Sequence, residues 1–496
     1  MKRILLLFLI SITPAINAQD LRDAYRYSDN ELTGTARFMA MSGAFGALGG
    51  DISAMALNPA SSAVFLSSSA TVSLNYRDLE NDIRFNDGFG SRGESNFDLN
   101  NVGGVFVFTG NENNDWRKFS IGVNYNTELD YEENYFVQGS SNNSIDQYFL
   151  NYANGVPLDL LQLRDNETIS DLYSFLGENE GYAAQQAFLG YQGYIIEPES
   201  ENPENTEYFS LISPGSFDQR YRYAAYGMKG KLTFNFGTQY KDFLYLGLNL
   251  NSHFINYENS TEFGETNSNE GSETTEVYFG NDLYTNGDGF SFQLGGIAKA
   301  TENIRVGFTY DSPTWYTVRE ESTQYLETNS SLDEFVRVAP QIINVYPEYQ
   351  FRTPSKLNGS FAYLFGKKGL ISFDYSWQDF SNIKFRSNYD IEFGDLNDVI
   401  SNEMKSVSTF RVGGEYRIAN FSMRAGYRFE ESPFEDKNNA GDLTGYTGGL
   451  GYSFGNFNVD LAYSYANYSD GTTGTINPTY IDRDLSNFVV SLTFGL

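Results

Sequence analysis

The 496-residue sequence contains no cysteine and one histidine. The first absence removes disulfides and thiolate metal sites, so an exported chain of this size must be held by core packing or by a closed network of backbone hydrogen bonds. The second leaves only oxygen ligands and methionine, which argues against a dedicated transition-metal or haem site, and no cofactor is expected. Past the first eighteen residues nothing approaches the roughly 18 to 20 consecutive apolar residues of a transmembrane helix. Cations are scarce as well: 33 Lys and Arg face 64 Asp and Glu, for a net charge of −31. Phosphate backbones call for clustered Lys and Arg, so this balance argues against nucleic acid as a partner.

What is abundant is aromatic and small. Tyr 37 and Phe 41 accompany only Trp 3, and Gly reaches 47. The chain opens with a basic Lys2-Arg3, an apolar run from Ile4 to Ile12, and a small-residue site at Ile16-Asn17-Ala18 before Gln19. This reads as a removed signal peptide over residues 1–18. Without Lys2 and Arg3 the net charge moves from −31 to −33. An exported, cysteine-free chain rich in aromatics and glycine, with no hydrophobic helices, fits an outer-membrane β-barrel.

A spanning strand needs about 9 to 11 residues with one apolar and one polar face. The last segment, "NFVVSLTFGL", shows the pattern: Phe488, Val490, Leu492, Phe494 and Leu496 share one parity, opposite Asn487, Val489, Ser491, Thr493 and Gly495. It also resembles the C-terminal signal read by the outer-membrane assembly machinery, with Leu496 at the end in place of the usual Phe. The same period predicts fourteen strands, near 69–77, 100–109, 117–128, 222–238, 243–257, 287–300, 303–312, 355–366, 369–380, 407–418, 421–431, 444–454, 457–468 and 486–496. Connections after even-numbered strands are short. Those after odd-numbered strands are long, near 80–96, 129–221, 258–286, 311–354, 381–406, 432–443 and 469–485. Short periplasmic turns and long external loops are the habit of such barrels, which puts both termini in the periplasm. The expected fold is therefore all-β: a 14-stranded antiparallel transmembrane barrel over 68–496 with long extracellular loops.

The connection at 129–221 exceeds ordinary loop length. Leu158, Leu160, Leu161 and Leu163, then Ile169, Leu172 and Phe175, recur near the helical period, so two or three short helices are expected there. Their apolar side is read as the inside of a self-packed cap, a reading compatible with a landing face for a greasy solute. Acidic stretches such as "DYEEN" and "EPESENPEN" read as solvated loops, with no EF-hand spacing. A sharper reading has external carboxylates holding the divalent cations that bridge lipopolysaccharide.

About fifty residues, 19–67, precede the first strand and are expected to plug the lumen as a hatch. Gly43, Gly46, Gly49 and Gly50, with Ala44, Ala47, Ala54 and Ala56, suit close packing in a confined space. Asp51 is placed to cap "ISAMAL", and Asn58 to start a second helix with Pro59 at its first position and Ala60 behind it. The stretch "GGDISAMALNPASSAVF", with Gly49, Gly50, Asp51, Asn58, Pro59 and Ala60, resembles the hatch of the FadL family of outer-membrane transporters. "RTPSKLNGSFAYLF" (352–365) and "DYSWQDF" (374–380) resemble later barrel segments of that family.

The resemblance implies uptake of long-chain fatty acids or aromatic hydrocarbons. A hydrophobic molecule would be caught among the loops, pass to an apolar pocket beside the hatch, and leave when the hatch shifts, through a lateral gap at a kink in the third strand. Lateral exit suits an apolar solute, which gains nothing from periplasmic water. "FSIGVNYNTELDY" holds Gly122 and no proline, so the sequence does not place the kink. His253 shares the lumenal parity of Asn249 and Asn251 and is read as hydrated lining; no enzyme activity is expected. The alternative from another class is a structural or adhesive surface barrel, or a general porin, for which such a plug has no evident use. Substrate identity and pocket residues are not legible.

Overall fold

The computed structural model describes residues 19–110, 114–387, 393–472 and 479–496; the signal peptide expected at 1–18 lies outside them. Fourteen antiparallel strands build the wall. They are β1 (Ser69–Phe85), β2 (Gly88–Thr109), β3 (Trp116–Asp130), β4 (Phe217–Tyr240), β5 (Leu244–Thr266), β6 (Thr274–Lys299) and β7 (Ile304–Asp311), followed by β8 (Lys356–Leu364), β9 (Gly369–Asp379), β10 (Ser406–Ile418), β11 (Phe421–Glu430), β12 (Leu443–Ser453), β13 (Phe457–Thr472) and β14 (Thr479–Gly495). β14 pairs back onto β1 from Ser69–Gly495 to Phe85–Thr479, so the sheet closes on itself. Closure satisfies backbone groups that lipid could not. On β14, Phe488, Val490, Leu492 and Phe494 are exposed on the outside, while Asn487, Val489 and Ser491 are buried inside.

The strands run further than the sequence pattern predicts. The stretch 80–96, expected as an external loop, is a tight hairpin in which Phe85 pairs with Gly88. Most of 258–286 lies in β5 and β6, and 311–354 carries the strand Trp315–Ser330, which pairs with β6 from Phe290 to Thr274. The physical reason is an inversion of polarity along each strand. In the lower half of β1, Leu74 and Tyr76 face outward and Ser73, Asn75 and Arg77 inward; beyond Arg77, Glu80, Asp82 and Arg84 face outward and Leu79, Ile83 and Phe85 inward. The outer end behaves as a water-soluble sheet around an apolar core, so a search for outward apolar residues stops too early.

That core is the cap. α4 (Asp146–Ala153), a 3₁₀ turn (Leu158–Leu160), α5 (Ile169–Asn179) and α6 (Tyr182–Gln192) fill the long connection. Phe149, Leu158, Leu161, Leu172, Leu176 and Phe188 pack with Phe263, Val277, Phe279 and Leu326 from the extended strands. Each such side chain contributes about 1.5–3 kcal/mol by leaving water. Leu163 and Phe175 stay exposed, so the apolar periodicity marks a packed interior at most of its positions.

Residues 19–65 pack against the inner face of the wall, and the chain emerges at the exposed Leu66 before β1. The segment holds α1 (Leu21–Ser28), α2 (Ala36–Met39), α3 (Ala54–Leu57) and a 3₁₀ helix (Pro59–Val64). Its backbone is hydrogen-bonded to inward side chains around the wall. Ala36 N–H donates to Ser491 on β14 (2.6 Å) and Gly46 N–H to Asp374 on β9 (2.9 Å). Gly34 O accepts from Asn100 on β2 (2.6 Å), Pro59 O from Asn235 on β4 (2.8 Å), Met55 O from Asn249 on β5 (2.8 Å) and Leu48 O from Arg305 on β7 (2.8 Å).

Candidate functional site

The plug's central stretch is built from the residues singled out in the sequence. Gly49 and Gly50 take φ of +63° and +69°, a region costly for any residue with a Cβ, and Gly50 N–H reaches Ser61 O to close the turn. Asp51 does not cap α3, which begins after Ser53 without a side-chain cap. Its carboxylate instead takes Ser53 N–H (2.9 Å) and Thr35 Oγ1 (2.8 Å), tying two loops of the plug together. Asn58 caps the following helix through Ala60 N–H (3.1 Å), with Pro59 at the first position; the helix is 3₁₀. The Asn58 amide also donates to Gly46 O (2.7 Å) and to Gly296 O on β6 (3.2 Å). The wall makes room for this contact: a Cβ on Gly247 would strike the Pro59 carbonyl, and one on Gly295 the Asn58 side chain.

Opposite lies a buried ion network. Glu415 on β10, fully enclosed, accepts from Arg37 Nε (3.0 Å) in the plug and from Arg424 Nε (2.7 Å) on β11, and pairs with Arg417; Arg424 continues to Asp460 on β13. Arg37 also donates to Gly50 O (3.1 Å). The plug is thus held here by an ion pair and elsewhere by hydrogen bonds to its backbone N–H and C=O groups.

The wall itself is incomplete between β2 and β3. Their ladder ends at Asn101–Asn126, and beyond it β2 pairs with β1 while β3 pairs with β4. Two bulges at this level end it: Asn100 is skipped in the β1–β2 register and Glu128 in the β3–β4 register. β3 then breaks at Tyr131–Glu132 and resumes as Glu133–Ser141, still paired with β4. The irregularity in the third strand therefore begins with the bulge at Glu128, six residues beyond Gly122, whose own pairing is regular. The separation is crossed by side chains: Asn96 to Asp130 and Glu132, and Thr127 Oγ1 to Leu99 O (3.0 Å). From within, the plug covers it. Glu31 N–H donates to Glu128 O (2.8 Å), Asn126 donates to Thr33 Oγ1 (2.7 Å), and Arg77 pairs with the Glu31 carboxylate (3.1 Å).

His253 faces the lumen as its parity indicated. Its Nε2 meets Ser291 Oγ (2.8 Å) and its Nδ1 meets Glu128 Oε2 (3.2 Å). The order Ser–His–carboxylate occurs in acyl-transfer sites, yet both outer members hold further partners here. Lys231 Nζ sits 2.8 Å from Glu128 Oε1, and Asn251 donates to Ser291 (3.1 Å). The chain braces the bulge against β5 and β6.

Two cavities flank α1. The inner one, of about 200 Å³, lies between the end of α1 and the rest of the plug; Glu128, Lys231, His253, Asp311, Lys356 and Arg411 are among its walls. The outer one, of about 380 Å³, lies between α1 and the cap and is rich in tyrosine and paired charges. An apolar pocket beside the hatch, which the resemblance implies, is absent from both, because the inward parity of these strands carries Asn, Ser, Lys and Tyr. Nothing local in the sequence marks the sites, since each cavity is assembled from strands distant in the chain.

α1 carries carboxylates out of water. Burial pushes the Asp29 carboxyl up to about 7, with Glu430 adding and Lys229 opposing, and burial with neighbouring Asp20 pushes Asp23 the same way. A carboxyl raised from the ordinary 3.8 holds its proton in the docked state, so its contribution to docking is complete below about pH 4 and is lost as pH rises through about 7. Amide exchange of Leu21–Ser28, corrected for intrinsic rates, is accordingly expected to be slower at pH 5, where much of the contribution remains, than at pH 8, where it is lost. Equal protection at the two values would contradict this.

A family model described as "Outer membrane protein transport protein (OMPP1/FadL/TodX)" matches residues 229–487. Among solved structures, a Pseudomonas aeruginosa FadL homologue aligns with a TM-score of 0.55 at 13% identity, over 94% of this chain and 99% of that one. The toluene transporter TodX of P. putida gives the same TM-score, identity and coverage. The CymD monoaromatic hydrocarbon channel gives 0.51 at 13% identity, over 94% and 97%. At these identities the likeness is one of fold. No curated protein sequence matches the chain.

Proposed function

Because the chain belongs to the outer-membrane transport family that includes FadL and TodX, we propose that it admits hydrophobic small molecules, long-chain fatty acids or aromatic hydrocarbons, by passive uptake gated by movement of residues 19–67. Its place is the outer membrane of a Gram-negative cell, with the cap outside and both termini in the periplasm. The observation that carries the reading is the separation of β2 from β3 at Asn100 and Glu128, covered from inside by Glu31 and Thr33. A lumen stopped by a plug, beside a wall opening held only by side chains, suits a solute that leaves sideways into lipid. The Gly49-Gly50 turn and the Asn58-Pro59-Ala60 joint are assigned as the elements about which the plug rearranges. Lipopolysaccharide, through the acidic outer loops, and the assembly machinery, through the terminal strand, are assigned as its membrane-side partners.

Uptake of labelled oleate and labelled toluene by cells carrying the protein, its Asn58→Ala variant or neither tests this. Asn58→Ala removes three hydrogen bonds from the joint, two of them buried, each worth about 0.5–1.5 kcal/mol, so uptake is expected to differ severalfold between variant and wild type. Equal uptake in all three strains would reject the proposal.

A further inference from the structure

The outer cavity has the wrong lining for a bare hydrocarbon. Its four arginines are paired, Arg26 with Asp23, Arg22 with Asp470, Arg77 with Glu31, and Arg483 with Glu133 and Asp470, and carboxylates outnumber them in the lining. Beside these charges stand the tyrosines. Tyr131 and Tyr257 meet edge to face at 4.9 Å, Tyr135 and Tyr223 stack at 5.0 Å, and the Tyr223 and Tyr257 hydroxyls share a hydrogen bond (3.1 Å). Arg26 lies 4.6 Å from the Tyr257 ring centre, holding that ring by its face. One group in this set is left over. The Tyr131 hydroxyl is buried, its residue 8% exposed, and has no hydrogen-bond partner among the described residues.

A buried hydroxyl without a partner costs roughly 1–3 kcal/mol, and an alkane or plain aromatic ring seated here would leave that cost standing while stripping water from the other hydroxyls. A ring carrying an oxygen reverses both effects. Its faces and edges fit the tyrosine rings in the offset geometries that aromatic quadrupoles favour. Its oxygen takes the Tyr131 O–H. The volume of about 380 Å³ admits a single small molecule of this kind.

We propose that the outer cavity is a binding site for small aromatic molecules bearing a hydroxyl group, with Tyr131 as the residue that selects them. The inference rests on the transport reading and names the solute class met first on that route. Tyr131 stands one residue past the end of β3, at the break beside the wall separation, so an occupant of this cavity contacts the segment that kinks the wall.

The test is calorimetric titration of the full-length protein in lipid nanodiscs with two probes that differ by one hydroxyl, 4-ethylphenol and ethylbenzene. Water solubility favours weaker binding of the phenol, so a preference for it must come from the site. 4-Ethylphenol is expected to bind at least about tenfold tighter, and Tyr131→Phe, which keeps the ring, to bring the ratio to about threefold or less. Ethylbenzene binding as tightly as the phenol in wild type, or a ratio unchanged by Tyr131→Phe, would overturn the site. Either result leaves the uptake of hydrophobic molecules standing, because that reading fails only by the cellular measurement. Neither probe binding would overturn the site as well.

Discussion

A Ser62→Cys, Ser120→Cys variant is expected to lose uptake when oxidised and to regain it on reduction. Ser62 lies on the plug's 3₁₀ helix and Ser120 on β3, both fully buried, and their hydroxyl oxygens are 2.9 Å apart. Sulfur atoms at those positions need to close to only about 2.05 Å, a modest shift for side chains that already point at each other. The natural chain has no cysteine, so the introduced pair is the sole route to a disulfide. If the plug must move for passage, a covalent tie to the wall removes the conducting state from the ensemble, and uptake should fall by about tenfold or more. The companion variant Thr71→Cys, Thr493→Cys ties β1 to β14, where the hydroxyls are also 2.9 Å apart, without touching the plug. Oxidation of that pair is expected to leave uptake unchanged. Full crosslinking at Ser62 and Ser120 with undiminished uptake would show that the plug does not gate.

The parts of the molecule legible in the sequence are those governed by neighbours along the chain. β14 could be read because lipid outside and a polar lumen inside fix alternate residues from Asn487 to Phe494. The Asn58 cap could be read because its partner is Ala60, two residues on. The outer end of β1 could not, since the same alternation continues there with its polarity exchanged, Ile83 and Phe85 turning toward the cap. The kink was equally hidden. It needs no proline or glycine at Glu128; the extra residue is absorbed by the register on β4 and matched by Asn100 across the gap. Asp51 shows the limit of local reasoning from the other side: a residue well placed to cap a helix spends its carboxylate on Thr35, sixteen positions earlier, because burial brings that hydroxyl within reach. The tyrosine chamber draws Tyr131 from the break after β3, Tyr223 from β4 and Tyr257 from β5, and only the closed barrel juxtaposes them.

The largest loss of stability is expected from Glu415→Gln. Its carboxylate is the shared acceptor of Arg37, Arg417 and Arg424, with the side chain wholly enclosed and Arg424 nearly so. A glutamine of the same shape keeps the packing and removes the charge, leaving Arg424 with Asp460 and Arg37 with the more weakly coupled Asp51 as the remaining nearby anions. Removing one partner from a buried ion pair costs about 3–5 kcal/mol, since the other charge stays out of water without compensation. Arg417→Ala supplies the comparison: its side chain is 44% exposed, so solvent screens the pair and the expected cost is about 1 kcal/mol or less. Arg37 makes the two sites differ in consequence as well as size, because it alone carries the network into the plug, where its other nitrogen holds Gly50 O. Glu415→Gln should therefore speed proteolysis or amide exchange across residues 34–51 before the wall opens, while Arg417→Ala leaves both at wild-type rates. Barrels of this kind unfold irreversibly in ordinary practice, so the appropriate measure is the rate of loss in urea. An unchanged rate for Glu415→Gln, with exchange in the plug unaffected, would mean that the bonds to Ser491, Asp374 and Arg305 hold the plug without help from the Arg37–Glu415 pair.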